Sequence, residues 1–374
     1  MSVSLGVQEQ AAILTDYVVD WKDRGGKVLA YTCVSMPIEI IEAAGLLPYR
    51  LKALGHPDTY LADGELSPLN CSFCRSCLQL GMDGTYNFLD GIIESNGCDH
   101  MRVMFENWRR VNEPGFFHYL KVPHFFGEDS LEYFEGELEL LKEAICEHFS
   151  VEVSDADLTA AMERQQEVRR MFRELCSLRR RERPAVNGSE VLALTINGSS
   201  MRSEDFLEVL SGVVEEREGA PGETPRARLM LCGAATDEVK WFEEIERMGG
   251  LIVADAQCFG ARAFCQDYDT GGDPLRVLAE SYLANLFCPR MYTEYDKRRD
   301  FILQTARRAN VEGVIVLYNK FCDLHGVDAV LLRRDLAEEG IPVLILEKEY
   351  SARADIGRVK TRIQAFMERI GGGA

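Results

Sequence analysis

Several features are missing from this 374-residue chain. No apolar run approaches the roughly 20 residues that would span a bilayer. Residues Met1 to Asp16 show neither a basic opening nor a continuous apolar core. No secretory signal is therefore expected, and the protein is expected in the cytoplasm, off the membrane. Positive charge is also scarce: 42 Lys and Arg against 61 Asp and Glu leave a formal net charge of -19. That balance argues against a nucleic-acid partner, because the phosphate backbone rewards clustered cations. A local basic patch for a small anion remains compatible with it.

The knuckles that announce a structural zinc site are absent as well, since no CxxC pair has a second pair or His partners. The run Cys71-Ser72-Phe73-Cys74-Arg75-Ser76-Cys77 lacks the fourth cysteine followed by proline that a bacterial ferredoxin pattern needs. What the chain does have is cysteine in quantity, 12 of them. In a reducing compartment these are not expected to form disulfides, so metal binding or catalysis is favoured. Some will simply pack as small hydrophobes. With 46% hydrophobic and 28% charged residues the chain is a packed globular protein, long enough for two domains.

One pattern occurs twice. Glu312-Gly313-Val314-Ile315-Val316-Leu317-Tyr318-Asn319 reads as a buried strand that ends in Lys320-Phe321-Cys322-Asp323. Far upstream, Asp90-Gly91-Ile92-Ile93-Glu94-Ser95-Asn96-Gly97-Cys98-Asp99 repeats it. A cysteine at the carboxyl end of a parallel strand stands where open α/β sheets place their ligands. Around the first copy the periodicity predicts a helix over 8–24, a strand over 27–32 with Cys33 at its end, and a helix stopping at Gly45. A strand over 46–52 follows, then Cys71 at a loop-to-helix junction and a helix over 99–111. Cys74 and Cys77 would lie one turn apart and face the core. Residues 112–127, aromatic and carrying His118 and His124, read as a packed loop and edge strand, or as a substrate-facing loop.

Helices are predicted over 129–149 and 154–183, with Ser154 and Asp157 as a capping pair. Cys146 and Cys176 fall on apolar faces of these helices. The run Arg179–Arg183 reads as a solvated helix end, or as a contact for a phosphate-bearing ligand. A linker over 217–226 leads to the second half. There strands are predicted over 227–232, 251–255 and 342–346, with helices over 237–248, 293–309 and 356–370. Cys258 and Cys288 stand at turns. Alternating strands and helices imply an α/β fold with a mostly parallel, doubly wound sheet in each half. The expected division is 1–150, a helical connector over 151–226, and 227–374. Six cysteines therefore occupy corners: Cys33, Cys71, Cys98, Cys258, Cys288 and Cys322. Thiolates converging on a cleft suit an iron–sulfur cluster, with zinc as the competitor, and spacing alone leaves the two open.

Several motifs taken together resemble the 2-hydroxyacyl-CoA dehydratase and benzoyl-CoA reductase family. They are Tyr31-Thr32-Cys33 with Pro37 and Glu39, Ala43-Ala44-Gly45-Leu46-Leu47-Pro48, Leu69-Asn70-Cys71-Ser72, Asn96-Gly97-Cys98-Asp99, Lys320-Phe321-Cys322-Asp323 and Thr361-Arg362-Ile363-Gln364-Ala365-Phe366. The resemblance runs from about residue 10 to the C-terminus. The cysteine-rich segment and the length look closer to the smaller, cluster-binding benzoyl-CoA reductase subunit than to a dehydratase.

The resemblance implies two flavodoxin-like domains, a homodimer or a heterodimer with a homologous subunit, and an ATP-hydrolysing iron–sulfur activator that delivers low-potential electrons. It implies Cys33, Cys71 and Cys322 as ligands of a 4Fe-4S cubane. Double-cubane relatives use six cysteines for a sulfide-bridged 8Fe-9S cluster. Cys98, Cys288 and Cys258 are the candidates for the added three, with Cys265 a neighbour competing with Cys258. The implied activity is reduction of an aromatic acyl-CoA such as benzoyl-CoA by radical electron transfer. The alternatives are a 2-hydroxyacyl-CoA dehydratase subunit, or an electron carrier without a substrate site. No CoA-binding fingerprint is present in the sequence. For the proton donor, His118, His124, Glu39 and Tyr31 are candidates by residue type alone, and the catalytic residue stays open.

Overall fold

In the computed structural model, residues 11–222, 224–350 and 352–371 are described. The first half runs α1 (Asp16–Asp23), β1 (Val28–Tyr31), α2 (Ile38–Ala43), β2 (Leu47–Arg50), α3 (Ser72–Met82), β3 (Gly91–Ser95), α4 (Asp99–Asn112) and β4 (Phe116–Leu120). Of the helix expected over 8–24, residues 8–10 lie outside the described residues. Four helices follow: α5 (Glu128–Phe149), α6 (Asp155–Arg180), α7 (Gly188–Gly198) and α8 (Ser203–Glu218). The second half runs β5 (Ala227–Gly233), α9 (Val239–Arg247), β6 (Gly250–Ala256), α10 (Pro274–Ala284), α11 (Tyr295–Arg308), β7 (Gly313–Asn319), α12 (Asp323–Glu338), β8 (Val343–Lys348) and α13 (Ala352–Gly371).

Each half builds a four-stranded, all-parallel sheet, β2-β1-β3-β4 in one and β6-β5-β7-β8 in the other. Parallel neighbours need crossover helices, which cover both faces and bury the strands between them. Accordingly β1, β2, β3 and β6 are buried along their whole length, as near-continuous apolar runs should be. Counted within each sheet the order is 2-1-3-4, the flavodoxin-type order as far as its fourth strand. The direction of winding reverses between the first and third strands, and the crevice opens at their carboxyl ends.

The repeated pattern is the third strand of each sheet, and its opening residues do the same work twice. Asp90 donates its N–H to the Val28 carbonyl and accepts the Val28 N–H on its carboxylate. Glu312 makes the same exchange with Arg228. The next residue is glycine because no side chain fits: a Cβ on Gly91 would lie 2.5 Å from Phe116, and one on Gly313 would lie 2.7 Å from Phe366.

The long helix α6 starts at a full capping box between Ser154 and Asp157, and buries Leu158, Met162, Val168, Phe172, Leu175 and Cys176. It packs on α2 of the first half, on α8, and on β6 of the second half. The basic run at its end departs from expectation. Arg179 is neither solvated nor free for a phosphate. It lies one turn beyond Leu175 on the buried face and pairs with Asp255 of β6 at 2.9 Å. Only Arg181 and Arg183 of the run's arginines are exposed.

Candidate functional site

The six corner cysteines fall three to each half. Cys33 lies two residues beyond β1 and Cys258 two beyond β6. Cys71, Cys98 and Cys322 are the residues immediately before α3, α4 and α12. Cys288 sits in the turn after α10. None of the three helix-leading cysteines closes a side-chain capping bond. Even so, first-turn N–H groups of Phe73 and Cys74, of Met101, and of His325 act on the sulfurs of Cys71, Cys98 and Cys322 and favour their thiolates.

These sulfurs lie within electrostatic reach of one another. Burial pushes the Cys98 thiol well up, and the negative charge of Cys71, Cys322 and Cys33 adds to it. Burial pushes Cys322 up to about 12, with Cys71 and Cys288 contributing, and Cys288 is raised by burial and by Cys33. Cys71 goes the other way, downward, chiefly because the Cys74 thiol donates to it, and in spite of its burial. Packing also joins the corners. A Cβ on Gly97 would lie 3.3 Å from the Cys33 sulfur, and the Asn319 amide approaches the Cys71 sulfur from the opposite half at 3.9 Å.

The remaining thiols stand apart or beneath. Cys74 and Cys77 lie on the buried face of α3, Cys176 lies against Arg179, and Cys265 donates to the Ala261 carbonyl. Among the described residues, no three Cys, His, Asp or Glu side chains close around a single ion. The thiols form a spread set of donors rather than a cage for one ion.

A cleft of about 460 Å³ opens at two of these thiols, lined by Cys98, His100, Tyr119, His124, Arg290 and Cys322 among others. A wider chamber of about 630 Å³ shares Asn96, Tyr119, His124 and Tyr292 with it and continues past Lys121, Phe125 and Tyr133. His100 is a site residue that the sequence reasoning missed. Its Nδ1 accepts the Cys71 N–H at 3.4 Å and its Nε2–H donates to the Phe321 carbonyl at 2.8 Å. The imidazole thus links the backbone at Cys71 to the residue preceding Cys322. The only sequence signal was its place two residues after Cys98.

Of the proton-donor candidates, His124 alone lines the cleft. Its Nδ1–H donates to the Arg290 carbonyl, and burial and the Arg290 charge lower its pKa. His118 lies on edge strand β4, its ring stacked with Phe116. Tyr31, pushed by burial up to about 12, lines a separate interior void of about 60 Å³. Glu39 is fully buried in a cluster with Arg169, Tyr268 and Tyr282, where it ties α2 to α6 and α10.

Some of the buried polar atoms without partners stand near these corners, namely Asn70 Oδ1, Glu94 Oε1, both amide atoms of Gln257, Arg262 Nε, Arg290 Nε and Asn319 Oδ1, while others, such as Arg169 Nε and Arg179 Nε, lie elsewhere. Native interiors leave few such groups, and each calls for an explanation. Orphaned N–H donors among thiols fit a thiolate-ligated anionic group whose sulfurs accept hydrogen bonds.

Residues 33–370 match the family model described as 2-hydroxyglutaryl-CoA dehydratase, D-component. YjiM of Escherichia coli (strain K12), provisionally named a dehydratase subunit, is 26% identical over 96% of this chain and 95% of its own. A benzoyl-CoA reductase subunit of Thauera aromatica is 26% identical, with 87% of this chain and 86% of its own covered. The beta subunit of (R)-2-hydroxyglutaryl-CoA dehydratase from Acidaminococcus fermentans is 23% identical, with 97% of each covered. The matched span takes in all six corner cysteines and both third strands, and the chain belongs to the 2-hydroxyglutaryl-CoA dehydratase D-component family.

Proposed function

We propose that this chain is an iron–sulfur cluster-bearing subunit of an acyl-CoA reductase, working with a homologous second subunit or a second copy of itself. The observation that carries the reading is a set of six corner thiols, three from each half, of which Cys98 and Cys322, one from each half, line a single cleft. A bound cluster would supply electrons of low potential, received from an ATP-hydrolysing iron–sulfur activator in the cytoplasm. Cys33, Cys71 and Cys322 would hold one cubane, and Cys98, Cys258 and Cys288 the second of a double cubane. The helices α3, α4 and α12 direct their amino termini at the thiolates and favour the charged form. Tyr119, Phe125, Tyr133 and Tyr292 line the outer chamber and suit an aromatic acyl group, which favours ring reduction, as of benzoyl-CoA.

The second reading is a 2-hydroxyacyl-CoA dehydratase subunit, favoured by the description of the matching family. Iron and acid-labile sulfide in anaerobically purified protein test the cluster. About eight irons per chain support the double cubane, about four the single one, and none sinks the proposal. Assays with the partner subunit and activator separate the reactions. Reduction of benzoyl-CoA supports the first, whereas turnover only of a 2-hydroxyacyl-CoA moves the chain to the second.

A further inference from the structure

Six arginines are buried among the described residues, each at most 5% exposed, and they sort into two groups. Arg169, Arg179 and Arg298 each meet a buried carboxylate, on Glu39 at 2.7 Å, Asp255 at 2.9 Å and Asp328 at 2.6 Å. Arg50, Arg262 and Arg290 have no carboxylate partner among the described residues, and all three stand at the cysteine corners. Arg50 donates to the Cys258 carbonyl and lies over the Phe259 ring at 3.9 Å. Arg262 holds the Phe287 and Gly233 carbonyls, each at 3.0 Å. Arg290 crosses between the halves to the Pro123, Val122 and Asn96 carbonyls and the Asn96 amide oxygen.

Carbonyl oxygens satisfy N–H groups but do not neutralise a charge. An unpaired buried charge is strongly disfavoured, and an arginine cannot escape by losing its proton. The contrast with Lys52 is direct. That lysine is also buried without an ion pair, bonded to Ser200 and the Ile196 carbonyl, and burial lowers its pKa to about 7, so it can become neutral. Arg262 and Arg290 have no such exit. What faces them is sulfur: Cys288, Cys258, Cys232 and Cys33 around Arg262, and Cys33, Cys288 and Cys98 around Arg290. Each also keeps one buried Nε–H with no acceptor.

We infer that Arg262 and Arg290 are the fixed counter-charges of the anionic centre held by these cysteines, and that they raise its reduction potential. The inference rests on the cluster reading. Each electron added to a thiolate-ligated cluster makes it more negative, so a fixed positive charge beside it favours the reduced state. Arg→Gln keeps hydrogen-bonding groups and removes the charge, and Arg→Lys keeps the charge, because beside an anionic centre a buried lysine, unlike Lys52, has a counter-ion that holds its proton.

The test is anaerobic preparation of the full chain as wild type, Arg262→Gln, Arg290→Gln, Arg262→Lys and Arg290→Lys. Iron and sulfide content is measured for each, with a reductive titration followed by electron paramagnetic resonance. The reduced-to-oxidised ratio at a fixed potential should fall about tenfold in each Gln variant, a shift of about 59 mV for one electron, and stay near wild type in each Lys variant. Clusters lost from the Gln variants and retained in the Lys variants support the counter-charge role, and the potential is then read from the Lys variants against wild type. Gln variants that load fully and titrate as wild type overturn it, as do Lys variants that behave like Gln. Iron-free wild-type protein overturns the cluster reading and this inference with it, a result distinct from an iron-loaded wild type whose variants do not differ.

Discussion

The two halves carry the same sheet, yet their corners are furnished differently. Leu29 pairs with Gly91 in one half and Leu229 with Gly313 in the other, so their registers superimpose residue by residue. On that register Cys33 corresponds to Gly233 and Glu94 to Val316; counted instead from the cysteines that lead α4 and α12, His100 corresponds to Leu324. Gly233 has φ +135°, and a Cβ there would lie 1.9 Å from the Leu317 carbonyl oxygen. No cysteine can stand where the first half has one. The second half supplies its thiols from Cys258 and from the Cys288 turn instead. A duplicated scaffold thus fixes where a site opens, and local crowding decides which corner can hold a ligand.

The comparison can be broken at its corners. The largest effect is expected at the third strands: Cys322→Ser should abolish the absorbance of an assembled cluster, whereas Cys176→Ser, on α6, should leave iron and sulfide content unchanged. Next comes the first-strand corner. Gly233→Ala forces a side chain against backbone at positive φ and should cost about 3 kcal/mol or more, read by denaturant unfolding of the apoprotein. The matching change Cys33→Ala should cost under about 1 kcal/mol, since it removes only a small, partly buried thiol.

The third test concerns Glu94, whose carboxyl burial pushes well above its ordinary 4.5, with the Cys33 charge adding to the shift. The folded protein keeps a proton that the unfolded chain releases. Its contribution is therefore fully present below pH 4.5 and is lost as pH rises towards the folded pKa. Glu94→Val installs the second half's residue. The stability difference between wild type and variant should move against wild type above that pH, by up to about 1.4 kcal/mol per pH unit. A pH-independent difference would mean that Glu94 is already charged when folded. A modest effect is expected at His100. His100→Leu, copying Leu324, removes two hydrogen bonds and should cost about 1–2 kcal/mol by thermal unfolding, with faster loss of iron to a chelator.

The repeat, the parallel strands and the cysteines before α3, α4 and α12 were legible in the sequence because they are local: a burial period, a glycine, a turn. The charged interior was not. Arg179 looked like a solvated helix end until β6 supplied Asp255, and Glu39 looked like an acid for chemistry until Arg169, Tyr268 and Tyr282 closed around it. Partners 76 or more residues away have no local signature. The unpaired arginines were hidden for the same reason, since an arginine without a carboxylate is recognised only when its whole surroundings are known. His100 was passed over because one histidine beside a cysteine carries no spacing to distinguish it from a surface residue.

The exchanges of Asp90 with Val28 and of Glu312 with Arg228 sit at the amino ends of the sheets, far from the cleft. Slipping a strand by one residue moves it roughly 3.3 Å and turns every side chain to the opposite face. These two carboxylates therefore act as zero marks on a pair of rulers. The heights of Cys33, Cys98 and Cys322 above the sheet floor are measured from them, and a thiol set spanning both halves inherits its tolerance from two acids a strand's length away.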